Sequence, residues 1–107
     1  MKGKNLGEIE KRIGKIKEAL AQIGPMRPGS LTCQYKDPST KSGSYWQVSY
    51  TRAMKSRSDY VRAERVVAIR KEIAMYKRFK KLVDEWVELS IEASKLRGKA
   101  DTKTASE

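Results

Sequence analysis

The stretch Tyr45–Val61, YWQVSYTRAMKSRSDYV, reads as two antiparallel strands joined by a short turn at Ala53-Met54, and a helical pattern follows it from Ala63. In its first half the side chains alternate. Successive residues of a strand point to opposite faces, so Trp46, Val48 and Tyr50 share one face and Tyr45, Gln47, Ser49 and Thr51 share the other. The apolar set is expected to pack against a helix. In the second half, Lys55–Val61, the inner residue is ambiguous, because Tyr60 and Val61 point opposite ways. The turn lacks the usual Asn-Gly signal.

Upstream, Ser30–Lys36 has the composition of a further strand, with Leu31, Cys33 and Tyr35 matching the inner face and Thr32, Gln34 and Lys36 outside. Asp37–Gly43 (DPSTKSG) is turn chemistry between it and the next strand. Cys33 reads as a small buried strand residue.

Before the strands, Leu6, Ile9, Ile13, Ile16, Leu20 and Ile23 recur at spacings of three and four, the stripe of an amphipathic helix. Asn5 with Glu8 three residues on is the signature of a capping box, and Gly24-Pro25 marks the far end. Pro25, Pro28 and Gly29 form a stiff connector. From Ala63 to about Arg97 neither Pro nor Gly interrupts the second helix. On a helical wheel Val66, Ile69, Ile73, Tyr76, Phe79, Val83 and Trp86 cover one arc. The expected fold is α+β: an N-terminal helix, a three-stranded antiparallel sheet and a long C-terminal helix that packs on the sheet and pairs with the first helix. One domain over residues 1–97 and a disordered tail over 98–107 are expected.

The chain has 107 residues, a net charge of +11, one cysteine and no histidine. That removes a disulfide framework, a Cys/His zinc cluster and histidine-based catalysis. No cofactor, metal or small-molecule substrate is expected, and enzymatic activity is not. Asp84, Glu88 and Glu92 recur every four residues, but acids at that spacing on a long helix serve solubility. No apolar run is long enough for a membrane span, and no apolar stretch follows the lysines of Met1–Asn5 as in a secretion signal. A cytoplasmic protein, nucleoid-associated if it binds DNA, is the expectation.

Charge is concentrated. Between Arg27 and Lys81 there are fourteen Lys/Arg and four acids, a local excess of +10. Such clustering beside a small sheet is how several β-ribbon modules meet a nucleic-acid backbone and groove. Lys36, Lys41, Arg52, Lys55 and Arg57 lie on or beside the hairpin turns, and Arg70, Lys77, Arg78 and Lys81 on the long helix. Tyr45 and Gln47 are candidate base readers, since an amide can make two hydrogen bonds to adenine in the major groove. The competing reading is a solvated sheet face and a solvated helix face. Duplex DNA is the favoured partner and RNA uses the same charges. The rival function is an adaptor whose helices grip another protein, with the charge serving solubility. Beyond Val83 the helix turns acidic while apolar residues persist, so a homodimer through Phe79, Val83, Trp86, Leu89 and Leu96 is expected.

Two resemblances are carried by these residues. QIGPMRPGSL (Gln22–Leu31), the Gln34-Tyr35 pair, GSYWQVSY (Gly43–Tyr50), YVR (Tyr60–Arg62) and MYKRFKKLVDEWVEL (Met75–Leu89) resemble a family of short prokaryotic proteins of unknown function often encoded near transposases. Many of its members carry a cysteine-rich knuckle after the QY pair. Lys36–Ser42 stands there in this chain without a cysteine, so the resemblance implies no metal site. More loosely, a strand ending Ser49-Tyr50, a basic turn, a strand ending Tyr60-Val61 and a helix look like the arm-binding domains of tyrosine recombinases and their plant transcription-factor relatives. That likeness implies a sheet that enters the major groove.

Overall fold

The computed structural model describes residues 5–105, with side chains described through residue 99. Its elements are α1 (Leu6–Ala21), β1 (Ser30–Asp37), β2 (Ser42–Arg52), β3 (Lys55–Val61), a 3-10 turn (Ala63–Arg65) and α2 (Val66–Ala105). It is an α+β protein with an antiparallel sheet of order β1-β2-β3. No helix among the described residues is long and apolar enough to cross a membrane. Two compact units are present: one combines α1 with α2 from Phe79 onward, and the other is Gly24–Arg78.

The first unit is a pair of helices. Asn5 caps α1 by accepting the Glu8 amide at 2.8 Å while the Glu8 carboxylate accepts the Asn5 amide at 3.3 Å, so two otherwise orphaned N–H groups are satisfied. At the other end the Gln22 and Ile23 amides close on the carbonyls of Ala19 and Leu20. Gly24 stays out of the positive-φ region, unlike Gly29 and Gly43, so the helix ends by a 3-10-type closure and not by a left-handed glycine. Ile9 and Ile16 are fully buried against Leu82, Leu89 and Ala93 of α2, with Leu6, Ile13, Leu20, Ile23, Trp86 and Leu96 packed around them. Arg12–Glu85 and Arg97–Glu10 ion pairs rim this contact.

The second unit is the sheet with the start of α2. Cross-strand pairing sets Leu31 opposite Val48 opposite Asp59, and Cys33 opposite Trp46 opposite Val61. Val48, Val61, Ile69 and Ile73 form its core, joined by Leu31, Trp46 and Val66. Val61 is thus the inner residue of β3, at 5% exposure against 70% for Tyr60. Gly29 is indispensable to this packing: at φ +134° a Cβ there would stand 2.6 Å from Cγ2 of Val48.

Three expectations are corrected. Cys33 is exposed, because the apolar cluster ends at its neighbours Leu31 and Trp46 and leaves that position uncovered. The arc through Val83 does not continue as the buried stripe: Leu82, Leu89 and Ala93 carry the contact with α1 and Val83 is half-buried. The second helix runs to Ala105, through the segment expected as a tail. A single interior glycine, Gly98, costs about 1 kcal/mol and is tolerated among helix-favouring neighbours. Residues 1–4, which bear on the question of a leader, and 106–107 lie outside the described residues.

Candidate nucleic-acid interface

The sheet of the second unit has an uncovered outer face made of hydroxyls, amides and phenols. Its rows are Gln34 with Tyr45, Thr32 with Gln47 and Tyr60, Ser30 with Ser49 and Ser58, and Thr51 with Ser56. Ser49 and Ser58 share a hydrogen bond across the strands at 3.2 Å, and the Gln34 amide donates to Thr32 at 3.0 Å. These rows contain no charge. Alternation alone does not decide between Tyr60 and Val61, and the structure sets Tyr60 beside Gln47.

Cations stand at the two ends of the sheet. At the β1–β2 end, Lys36 lies on the outer side, its stem so close across Gly43 that a Cβ on that glycine would sit 3.0 Å from the Lys36 Cβ. Lys41 occupies the turn at φ 57° and is exposed. Asp37 belongs to the same turn, where the Ser39 hydroxyl donates at 2.7 Å. That bond, with a second from Thr40, holds the Asp37 carboxylate below its usual range. At the other end the ten residues Ser49–Ser58 contain Arg52, Lys55 and Arg57 and no acid. An 11-residue strand spans about 35 Å, so the two cationic ends are separated by most of that length.

The nearest acid to the tip is Asp59. Arg27 donates to it at 2.9 Å and lies over the Tyr50 ring at 5.1 Å. The Arg27 hydrogen bond first, and the Tyr50 hydroxyl second, hold the Asp59 carboxylate below its ordinary value. A carboxylate lowered in the folded state stabilises above its unfolded pKa and loses that contribution as pH falls through the lower value. The pair therefore persists at neutral pH; Asp59 is engaged first by Arg27 and more weakly by Arg57 of the tip, while Arg52 and Lys55 lie farther along the hairpin.

The eleven residues expected as one surface do not share one. Lys36, Tyr45 and Gln47 belong to the outer face. Arg52, Lys55 and Arg57 project on the side of Tyr50, as their pairing with Arg52–Lys55 and Tyr50–Arg57 in register requires. Arg70 lies over the Trp46 ring at 5.4 Å on the helix side, and Lys77 and Arg78 are exposed farther along α2. Lys81 falls in the first unit. A phosphate track through all of them on one plane is thus excluded within the second unit, and its cationic features are the two hairpin ends, with Lys36 on the outer face and Arg52, Lys55 and Arg57 on the opposite one.

The expected dimer residues are also redistributed. Leu89 is buried against α1, and Leu96 and Trp86 pack on the same cluster with Lys17 over the Trp86 ring at 5.4 Å. Phe79 is half-buried. What stays open is a shallow groove along α2 lined by Val83, Val87 and Ile91 with Ser90 and Ser94 between them. Val87 and Ile91 are 49% and 46% exposed.

No cluster of three or more Cys, Asp or Glu is placed to hold a metal among the described residues. Residues 6–71 match the model of a family described as a domain of unknown function, DUF6788, over α1, the sheet and the start of α2. No curated protein and no solved structure matches the chain.

Proposed function

The chain belongs to the DUF6788 family, a domain of unknown function, and we propose that it binds duplex DNA through the outer face of its sheet as a non-enzymatic accessory protein of a mobile element or genome. The observation that carries this reading is an uncharged hydrogen-bonding outer face on a sheet whose β2–β3 hairpin ends in a basic tip, with no acid from Ser49 to Ser58. Neutral amides and hydroxyls suit base edges, and cations at the margins suit the phosphates on either side. Gln47, with Tyr60 and Thr32 in its row, is the central reading position. Lys36 and Lys41 at one end and Arg52, Lys55 and Arg57 at the other supply the phosphate contacts. Side-by-side titrations with duplex DNA, duplex RNA and an acidic protein test the assignment. Tightest binding to duplex DNA supports it. Preference for RNA moves the same face to an RNA target, and equal affinity for the acidic protein favours the adaptor reading.

The groove on α2 supports self-association as well. Val83, Val87 and Ile91 recur every four residues, and small Ser90 and Ser94 permit close approach. Asp84 and Glu88 flank the stripe toward its N-terminal end and Lys95 toward its C-terminal end. Two copies crossing antiparallel bring Asp84 of one opposite Lys95 of the other, an isologous contact. Light scattering at micromolar concentration is expected to give twice the chain mass, and Val87→Asp with Ile91→Asp to return the monomer. Trp86 is unsuitable for this test, since its loss would damage the contact with α1. Doubling the basic surface would also raise DNA affinity through effective concentration, so the monomeric variant should bind more weakly. A monomeric unmodified protein contradicts the dimer.

A further inference from the structure

The turn between β2 and β3 is built from residues that a tight turn disfavours. Ala53 and Met54 have φ of 51° and 65°, the left-handed region that glycine, asparagine and aspartate enter most easily. Neither residue is one of these. Met54 is 98% exposed, so its side chain packs on nothing within the chain and contributes nothing to the core. A large apolar side chain is therefore held at the extreme tip of a two-stranded ribbon, on a backbone conformation that a glycine would adopt with less strain. Non-glycine residues in that region concentrate where function requires them. The flanking residues are Arg52 and Lys55, with Arg57 beyond, and no acid occurs from Ser49 to Ser58.

An apolar tip between cations has the two components needed to enter a base step. The cations hold phosphates on both sides, and an unbranched, polarisable thioether slides between base faces. We propose that Met54 is a wedge that inserts between adjacent base pairs of duplex DNA and kinks it, while Arg52, Lys55 and Arg57 anchor the ribbon to the backbone. This rests on the duplex-binding reading above and adds the way the DNA is deformed. Pyrimidine–purine steps, which unstack most readily, are the expected targets.

Short duplexes with 2-aminopurine beside a central TA step report unstacking as a rise in fluorescence, and end-labelled versions report bending by energy transfer. Saturating unmodified protein is expected to raise the fluorescence at least twofold and to shorten the end-to-end distance. Met54→Ala should bind about tenfold more weakly with the same salt dependence, because every cation remains, and should give neither signal; Met54→Leu should restore both. Because Met54 touches nothing, these variants leave the fold intact, which thermal melting verifies. Tight binding by the unmodified protein without unstacking overturns the wedge and leaves duplex binding standing. Failure to bind duplex at all overturns both. Unstacking that survives Met54→Ala, or Met54-dependent binding to anionic phosphatidylserine vesicles in place of DNA, overturns the wedge.

Discussion

A variant carrying Arg52→Glu, Lys55→Glu and Arg57→Glu is expected to bind duplex DNA roughly 500-fold more weakly at about 0.1 M salt, because three phosphate contacts at about −0.9 in log–log slope each correspond to about 2.7 decades. The three residues occupy the acid-free tip of the second hairpin and all are exposed. The matched comparison is Lys11→Glu, Lys15→Glu and Lys99→Glu, which changes net charge equally at exposed positions of α1 and late α2. That variant should lose under tenfold. Fluorescence anisotropy with one labelled duplex measures both, and melting curves confirm that each folds. Equal losses would mean that the protein acts as a diffuse polycation and that the hairpin has no special part.

The second large effect concerns stability. Ile16→Ala should destabilise the helical pair by about 2–5 kcal/mol, the range for truncating a large aliphatic side chain in a core that collapses only partly into the cavity. Ile16 is 1% exposed and belongs to the cluster with Ile9, Leu82, Leu89 and Ala93. Against a total stability of about 5–15 kcal/mol for a small domain that is a large fraction. Urea unfolding followed by helical circular dichroism should show a lower midpoint. Ile13→Ala, at a half-buried position, should cost less, and a reversal of that order would contradict the packing described for α1.

These two sites differ in how readily sequence reveals them. The stripe of α1 and its capping box are local patterns, so Asn5, Glu8, Ile9 and Ile16 announce their roles through spacing alone. β2 is equally legible, since Trp46, Val48 and Tyr50 alternate with polar residues and Val48 becomes the best-buried residue of the sheet. β3 is not. Its composition is polar throughout, and only pairing with Trp46 selects Val61 over Tyr60. Cys33 follows the correct alternation yet is exposed, because alternation assigns a face but not how far a helix covers it. The same distinction separates Leu82 from Val83 on α2: the wheel of one helix cannot say which side a second helix will take. The division of the basic residues between the two faces of the sheet was hidden for a related reason, because turn residues read as neighbours in sequence while the register sends Arg52, Lys55 and Arg57 to the side opposite Gln47. The left-handed pair Ala53-Met54 carried no recognisable turn signal, and the exposure that gives it meaning is visible only in three dimensions.

The salt dependence of duplex binding tests the central proposal most directly. Five cations at the two hairpin ends of the sheet, Lys36, Lys41, Arg52, Lys55 and Arg57, correspond to a log–log slope near −4.5 and a loss of about 500-fold between ~50 and ~200 mM salt. A steep, linear plot of that order is the predicted result; a flat titration, or duplex binding indistinguishable from that of an acidic protein, would contradict it.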